Sequence, residues 1–150
     1  MSEVFFYHLQ RQPLERVLPT LLEKARARGW RAAIQVTSEE RAAALDDHLW
    51  SYDEQSFLAH GRADEAEAHE HPIVIALDFT NPNDAAIRFL VDGAALPPDA
   101  ARYERLMVIF DGHDDDQLAR ARTQWKEVKA AGHEATYWQQ DENGRWGKKA

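Results

Sequence analysis

Residues 4–36, VFFYHLQRQPLERVLPTLLEKARARGWRAAIQV, decide the fold class. Val4 to Leu9 is a short apolar and aromatic run bounded by polar residues, the pattern of a buried strand. From Leu14 the period changes. Leu14, Val17, Leu18, Leu21, Leu22 and Ala25 recur at helical spacing, and Gly29 follows as the residue that closes a helix. Arg31 to Val36 returns to strand-type apolar character. Pro19 interrupts the helical stripe because its ring crowds the carbonyl of Glu15, which predicts a kink or a helix that properly starts near Leu18.

The same alternation continues outward. Thr37 opens T-S-E-E, a capping-box spacing with Glu40, ahead of a helix with Ala42, Leu45 and Leu49 on one face, ending around Trp50 or Tyr52. Residues 61–70 carry Ala, Glu, Asp and His without a period and read as a solvated loop. Strands are expected at Pro72 to Leu77, Ile87 to Val91 and Leu106 to Phe110. A helix follows from about Asp115 to Gly132 with Leu118, Ala121, Trp125 and Val128 as its stripe, then a last strand from Ala135 to Gln139. Asp141 to Ala150 reads as a polar tail of a single domain spanning 1–150. Near-continuous apolar strands separated by amphipathic helices predict a three-layer α/β/α, Rossmann-like, mostly parallel sheet without a nucleotide-binding loop.

Composition narrows the function classes. The chain has no cysteine, so disulfide scaffolds, thiolate metal sites and cysteine nucleophiles are excluded, in keeping with a reducing, cytoplasmic setting. No run approaches the eighteen or so apolar residues of a membrane span, and the opening MSEVFFYHLQ lacks the features of a signal peptide. A formal net charge of −8 repels phosphates on average, so direct contact with nucleic acid would need a strong local basic patch.

Catalytic motifs are missing. Neither G-x-x-x-x-G-K-[ST] nor G-x-G-x-x-G occurs, and the turn after the first strand, Gln10 to Gln12, has no glycine. Leu106 to Asp111 is similar to the apolar strand ending in Asp that holds magnesium in nucleotide hydrolases. A small nucleotide- or magnesium-dependent phosphoryl-transfer enzyme centred on Asp111 is therefore the alternative reading, and the missing phosphate loop speaks against it. Asp114, Asp115 and Asp116 complement the dipole of the helix they begin. His60, His69 and His71 lack a third ligand at defined spacing, and no serine sits in a nucleophile elbow. No catalytic centre, cofactor or metal is expected.

What remains is a surface. Arg122, Trp125, Lys126 and Lys129 share one side of the late helix, with Trp125 at the border of the buried stripe. Two readings stand open: a core-edge tryptophan beside a solvated basic face, or an anchor for an acidic, apolar peptide. Trp50, Tyr52 and Phe57 form a second aromatic cluster, which either caps the core or lines a groove.

At these residues the chain resembles the chi subunit family of bacterial DNA polymerase III. Leu45-Asp46-Asp47-His48-Leu49-Trp50, followed by Ser56-Phe57 and His60, follows the family's L-D-x-x-L-W, S-F and H at the same spacing. Phe6-Tyr7-His8-Leu9 resembles its first strand. Arg122-x-x-Trp125-Lys126-x-x-Lys129-x-x-Gly132 resembles its late helix, with Trp125 where tyrosine is frequent. The resemblance runs from about Val4 to Ala135; loop lengths at 61–72 and 112–116 depart from the pattern.

The resemblance implies a non-catalytic accessory subunit of the replicative polymerase. Such a subunit links the clamp loader to single-stranded DNA-binding protein by gripping that protein's acidic C-terminal tail, and so meets single-stranded DNA only indirectly. It further implies that Arg122 receives the tail's terminal carboxylate, that Trp50, Phe57 and Trp125 form an apolar wall, and that Lys126 adds to the field. Clamp-loader subunits, including a psi subunit where the source has one, are the other implied partners.

Overall fold

The computed structural model describes residues 2–51 and 58–150. In chain order the elements are β1 (Glu3–Leu9), α1 (Leu14–Ala27), β2 (Ala32–Gln35), α2 (Glu39–Ser51), β3 (Gly61–Arg62), β4 (Ile73–Ala76), β5 (Ile87–Leu90), β6 (Arg105–Asp111), α3 (Asp115–Ala130), β7 (Glu134–Gln140) and β8 (Trp146–Lys148). All eight strands join one sheet in the order β3-β4-β2-β5-β6-β1-β7-β8, parallel throughout except for β8 against β7. The expected three-layer α/β architecture is what forms.

Strand periodicity sorts the core into two sides. Tyr7, Leu9, Ile34, Phe89, Met107 and Ile109 pack under α1 and α2. Val4, Phe6, Leu90, Leu106, Val108 and Phe110 pack on the other face, under α3. α3 covers the β6-β1-β7 portion of that face, and the connections around β5 close the rest, where Arg88 is fully buried. Its guanidinium donates to Gln35 Oε1 at 2.9 Å, to the Thr80 carbonyl at 2.9 Å and to the Asp78 carbonyl at 2.5 Å, so the charge is held by neutral oxygens.

α1 buries the stripe that its spacing foretold and ends as expected. Gly29 adopts φ +82°, Trp30 N–H donates to the Ala25 carbonyl and Gly29 N–H to that of Arg26, a Schellman closure. Pro19, however, neither breaks the helix nor delays its start. The Glu15 carbonyl that Pro19 cannot serve is taken instead by His48 Nε2 from α2. α2 is capped one residue later than the T-S-E-E spacing suggests: Arg41 N–H donates to Ser38 Oγ at 3.2 Å.

Two further segments differ from expectation. Residues 61–70 contain β3 and a single 3₁₀ turn at Ala68–Glu70, which buries Ala68. The polar segment 141–150 is no free tail. Asp141 Oδ1 accepts the N–H groups of Asn143 and Arg145, Gly144 takes φ +78°, and β8 folds back so that Trp146 stacks on Tyr7 at 4.5 Å.

Candidate functional site

α3 is set by its ends. Asp114 is the N-cap, accepting the N–H groups of Asp116 and Gln117, and Gly132 at φ +83° closes the helix. Ala121, Gln124 and Val128 form the buried seam, with Gln124 Nε2 donating to the Ala94 carbonyl at 2.9 Å. This leaves Trp125 half-buried on one flank and Arg122, Lys126 and Lys129 exposed.

Between that flank and the sheet runs a groove of about 520 Å³ lined by Phe6, His8, Arg122, Trp125, Lys126 and Tyr137, with Leu118 and Ala121 at its base. Trp125 meets Phe6 edge-on at 5.2 Å and Tyr137 at 6.3 Å, and the Lys129 ammonium sits 5.0 Å from the Trp125 ring centre. Neither Arg122 nor Lys126 forms an ion pair among the described residues. The groove thus joins apolar rings to uncompensated cations, a surface suited to a ligand with both apolar groups and negative charge.

The floor is more structured than the sequence suggested. His8 Nδ1 meets the Tyr137 hydroxyl and also the Gln139 amide nitrogen at 3.0 Å, so three polar side chains converge on the floor. Burial lowers the His8 pKa, and His113 lowers it further against the opposing effect of Asp111. Gly112 is required beside it, since a Cβ there would lie 2.0 Å from His8 Nε2. Burial raises the Tyr137 pKa, opposed by Gln139 and the Arg122 charge. His8, Phe6 and Tyr137 were legible only as strand residues, because their convergence under α3 depends on β1 lying beside β7.

The second aromatic cluster does not join this groove. Trp50 ends α2 and is 52% exposed, its ring 4.2 Å from that of His60, on the opposite face of the sheet from α3. Phe57 and Tyr52 lie outside the described residues. The implied wall of Trp50, Phe57 and Trp125 is therefore divided by the sheet as far as Trp50 is concerned, and Phe6 and Tyr137 are the rings that face Trp125.

A second cleft, about 450 Å³, opens at the carboxyl ends of β1 and β6, between Gln10–Glu15, Arg41, Asp92, Asp111 and His113. This is the place where open α/β sheets commonly bind ligands. Its partly buried arginine is engaged by two carboxylates, whereas Arg11 at its rim has no ion pair among the described residues. Arg41 Nε donates to Asp92 at 2.8 Å and its Nη2 to Glu15 at 3.1 Å. Burial raises the Glu15 carboxyl, but its own backbone N–H and Arg41 outweigh that and hold it below its ordinary value. Asp111 Oδ1 accepts the N–H of His113, whose ring contacts the Gln10 carbonyl. Among the described residues no three His, Asp or Glu side chains are grouped to hold a metal ion. The histidines singled out in the sequence take separate partners: His60 meets Asp46 and the Leu58 carbonyl, His69 lies near Glu70 and His71 near Glu65.

The sequence model of the DNA polymerase III chi subunit family matches residues 1–136. The chain belongs to that family. Chi is an accessory, not a catalytic, subunit of DNA polymerase III, a component of DNA replication. A probable DNA polymerase III subunit chi from Rickettsia prowazekii (strain Madrid E) is 23% identical over 121 residues, which cover 74% of this chain and 71% of the relative. The match to the chi family spans β1, α1, α2, the groove face of α3 and the start of β7, and stops just before Tyr137. No helix among the described residues is long and apolar enough to cross a membrane.

Proposed function

We propose that the groove beside α3 receives the acidic, apolar C-terminal tail of single-stranded DNA-binding protein, and that the protein thereby links it to the clamp loader in the cytoplasm without a catalytic centre of its own. The observation that carries this reading is Arg122, exposed and without an ion-pair partner among the described residues, on the rim of a groove walled by Trp125 and Tyr137. Arginine holds a carboxylate with two parallel hydrogen bonds, so a chain terminus is the ligand group that it suits best. Lys126 adds charge, and the rings accept the apolar side chains that precede the terminus. Trp50, on the other face, stays uncovered by a tail so bound, which leaves that side for clamp-loader subunits, the psi subunit among them where the source has one.

Titration calorimetry with a synthetic acidic, apolar peptide tests the reading. A free C-terminal carboxylate should be required, and Arg122→Ala should weaken binding about tenfold or more, with partial rescue by Arg122→Lys. If amidation of the peptide and replacement of Arg122 each leave the dissociation constant unchanged, the groove is not the tail site.

A further inference from the structure

On the α1 side, the sheet continues past β1 into β7 and β8, and the residues there are aromatic. Trp146 stacks on Tyr7 at 4.5 Å, Trp138 packs against Tyr7 at 6.1 Å and Phe5 at 5.7 Å, and Trp30 adjoins this row. Phe5, Trp30, Trp138 and Trp146 are all only partly buried, so three of the chain's five tryptophans contribute to one band. Cations border it. The Arg105 guanidinium lies 4.3 Å from the centre of the Phe5 ring and 5.2 Å from that of Trp30, and Arg28 lies 4.1 Å from Trp30. Lys148 is the cross-strand partner of Trp138 and so projects on the same face.

The band deepens into a trough of about 340 Å³ between α1 and the β7–β8 hairpin, where Arg16 and Lys24 face Trp146 across Gln140. Gln140 is 7% exposed, and its Oε1 has no hydrogen-bond partner. Glu3, paired with Arg105 at 3.0 Å, Glu23 on the same stretch of α1, and Asp141 and Glu142 at the tip of the hairpin are the nearby acids, set against Arg16, Lys24, Arg28, Arg105 and Lys148.

We infer that this band is a binding surface for a single-stranded nucleic acid, separate from the α3 groove. A single strand offers one flat base and one negative charge per unit, and a row of rings with cations along its margins matches that repeat without reading sequence. Contact with single-stranded DNA would then be direct as well as through its binding protein, carried by stacking and by the exposed cations against the unfavourable mean charge.

Fluorescence anisotropy of labelled oligo(dT) and oligo(U), each about twenty nucleotides long, tests this on the full chain at low salt. We expect micromolar binding that falls linearly on a log scale with salt, with quenching of tryptophan emission. Lys24→Glu combined with Lys148→Glu alters only exposed positions and should weaken binding at least about tenfold, while Arg122→Ala leaves it unchanged. Trp146→Ala should weaken it and Trp146→Phe largely restore it. Equal affinity for the two oligonucleotides assigns the surface to backbone and stacking, and a preference for one assigns it to DNA or RNA; either supports the inference. Absence of binding at low salt, or binding that survives the double charge reversal, overturns it. So does capture of the acidic peptide in place of the oligonucleotide. Peptide titration of the same variants separates this outcome from failure of the α3 groove as the tail site.

Discussion

The cleft at the carboxyl ends of β1 and β6 and the groove beside α3 are close in volume, about 450 and 520 Å³, yet opposite in how their charges are spent. In the cleft Arg41 is held between Asp92 and Glu15, and the Asp111 carboxylate accepts a backbone N–H. In the groove Arg122 and Lys126 stand without ion-pair partners among the described residues. At the position that the fold usually gives to a ligand, Arg41 is thus closed off by carboxylates and Arg11 is left unpaired among the described residues, while on the helix flank unpaired cations stand beside aromatic rings. Volume alone does not mark a site; unspent charge beside apolar surface does.

The largest effect is expected in the groove. Arg122→Ala should cost the acidic peptide roughly 1.5 to 3 kcal/mol of binding free energy by calorimetry with little change in stability, and Trp125→Ala a similar amount of binding together with a loss of stability, since its ring packs on Phe6 and Tyr137. Substitutions outside the groove, at the N-cap of α3 and in the cleft, should show the inverse pattern. Asp114→Ala removes the acceptor for two N–H groups at the start of α3 and should lower stability in urea by about 1 kcal/mol while peptide affinity stays unchanged. Arg41→Ala should cost stability up to about 1 kcal/mol, limited by partial exposure of the pair, again without loss of affinity.

A smaller effect sharpens the account of the groove floor. Because the folded pKa of His8 is depressed, the unfolded chain binds more protons at this position between that value and about 6.5. Its contribution to stability is complete above that range and is lost as pH falls through it. Wild-type stability should accordingly fall more steeply from neutral to mildly acidic pH than that of His8→Gln, read as the midpoint of thermal unfolding against pH. The smallest effect expected is that of salt on peptide binding, a few-fold weakening as ionic strength rises, because Arg122 and Lys126 are exposed and screened.

The sheet was legible because parallel strands buried on both faces read as continuous apolar runs, and each such run from Val4–Leu9 to Leu106–Phe110 pairs in it. Gly29 and Gly132 marked their helix ends for the same local reason, a left-handed closing residue. What escaped was set by tertiary neighbours. The face on which a helix packs is not a property of its own period, so no periodicity reported that the sheet lies between Trp50 and Trp125. Gln124 occupies a buried seam position because the Ala94 carbonyl needs a donor, which no periodicity reports. The β7–β8 hairpin did carry a signal in Asn143-Gly144, but its single apolar anchor, Trp146, was hidden among polar residues.

Pro19 and His48 belong to different helices, yet the hydrogen bond that one cannot form is completed by the other. The two positions should therefore behave in evolution as one character. A descendant that replaces Pro19 with a residue bearing an N–H gives the Glu15 carbonyl back to its own helix, and position 48 is released to drift. One that loses His48 first leaves that carbonyl unserved and favours loss of the proline next.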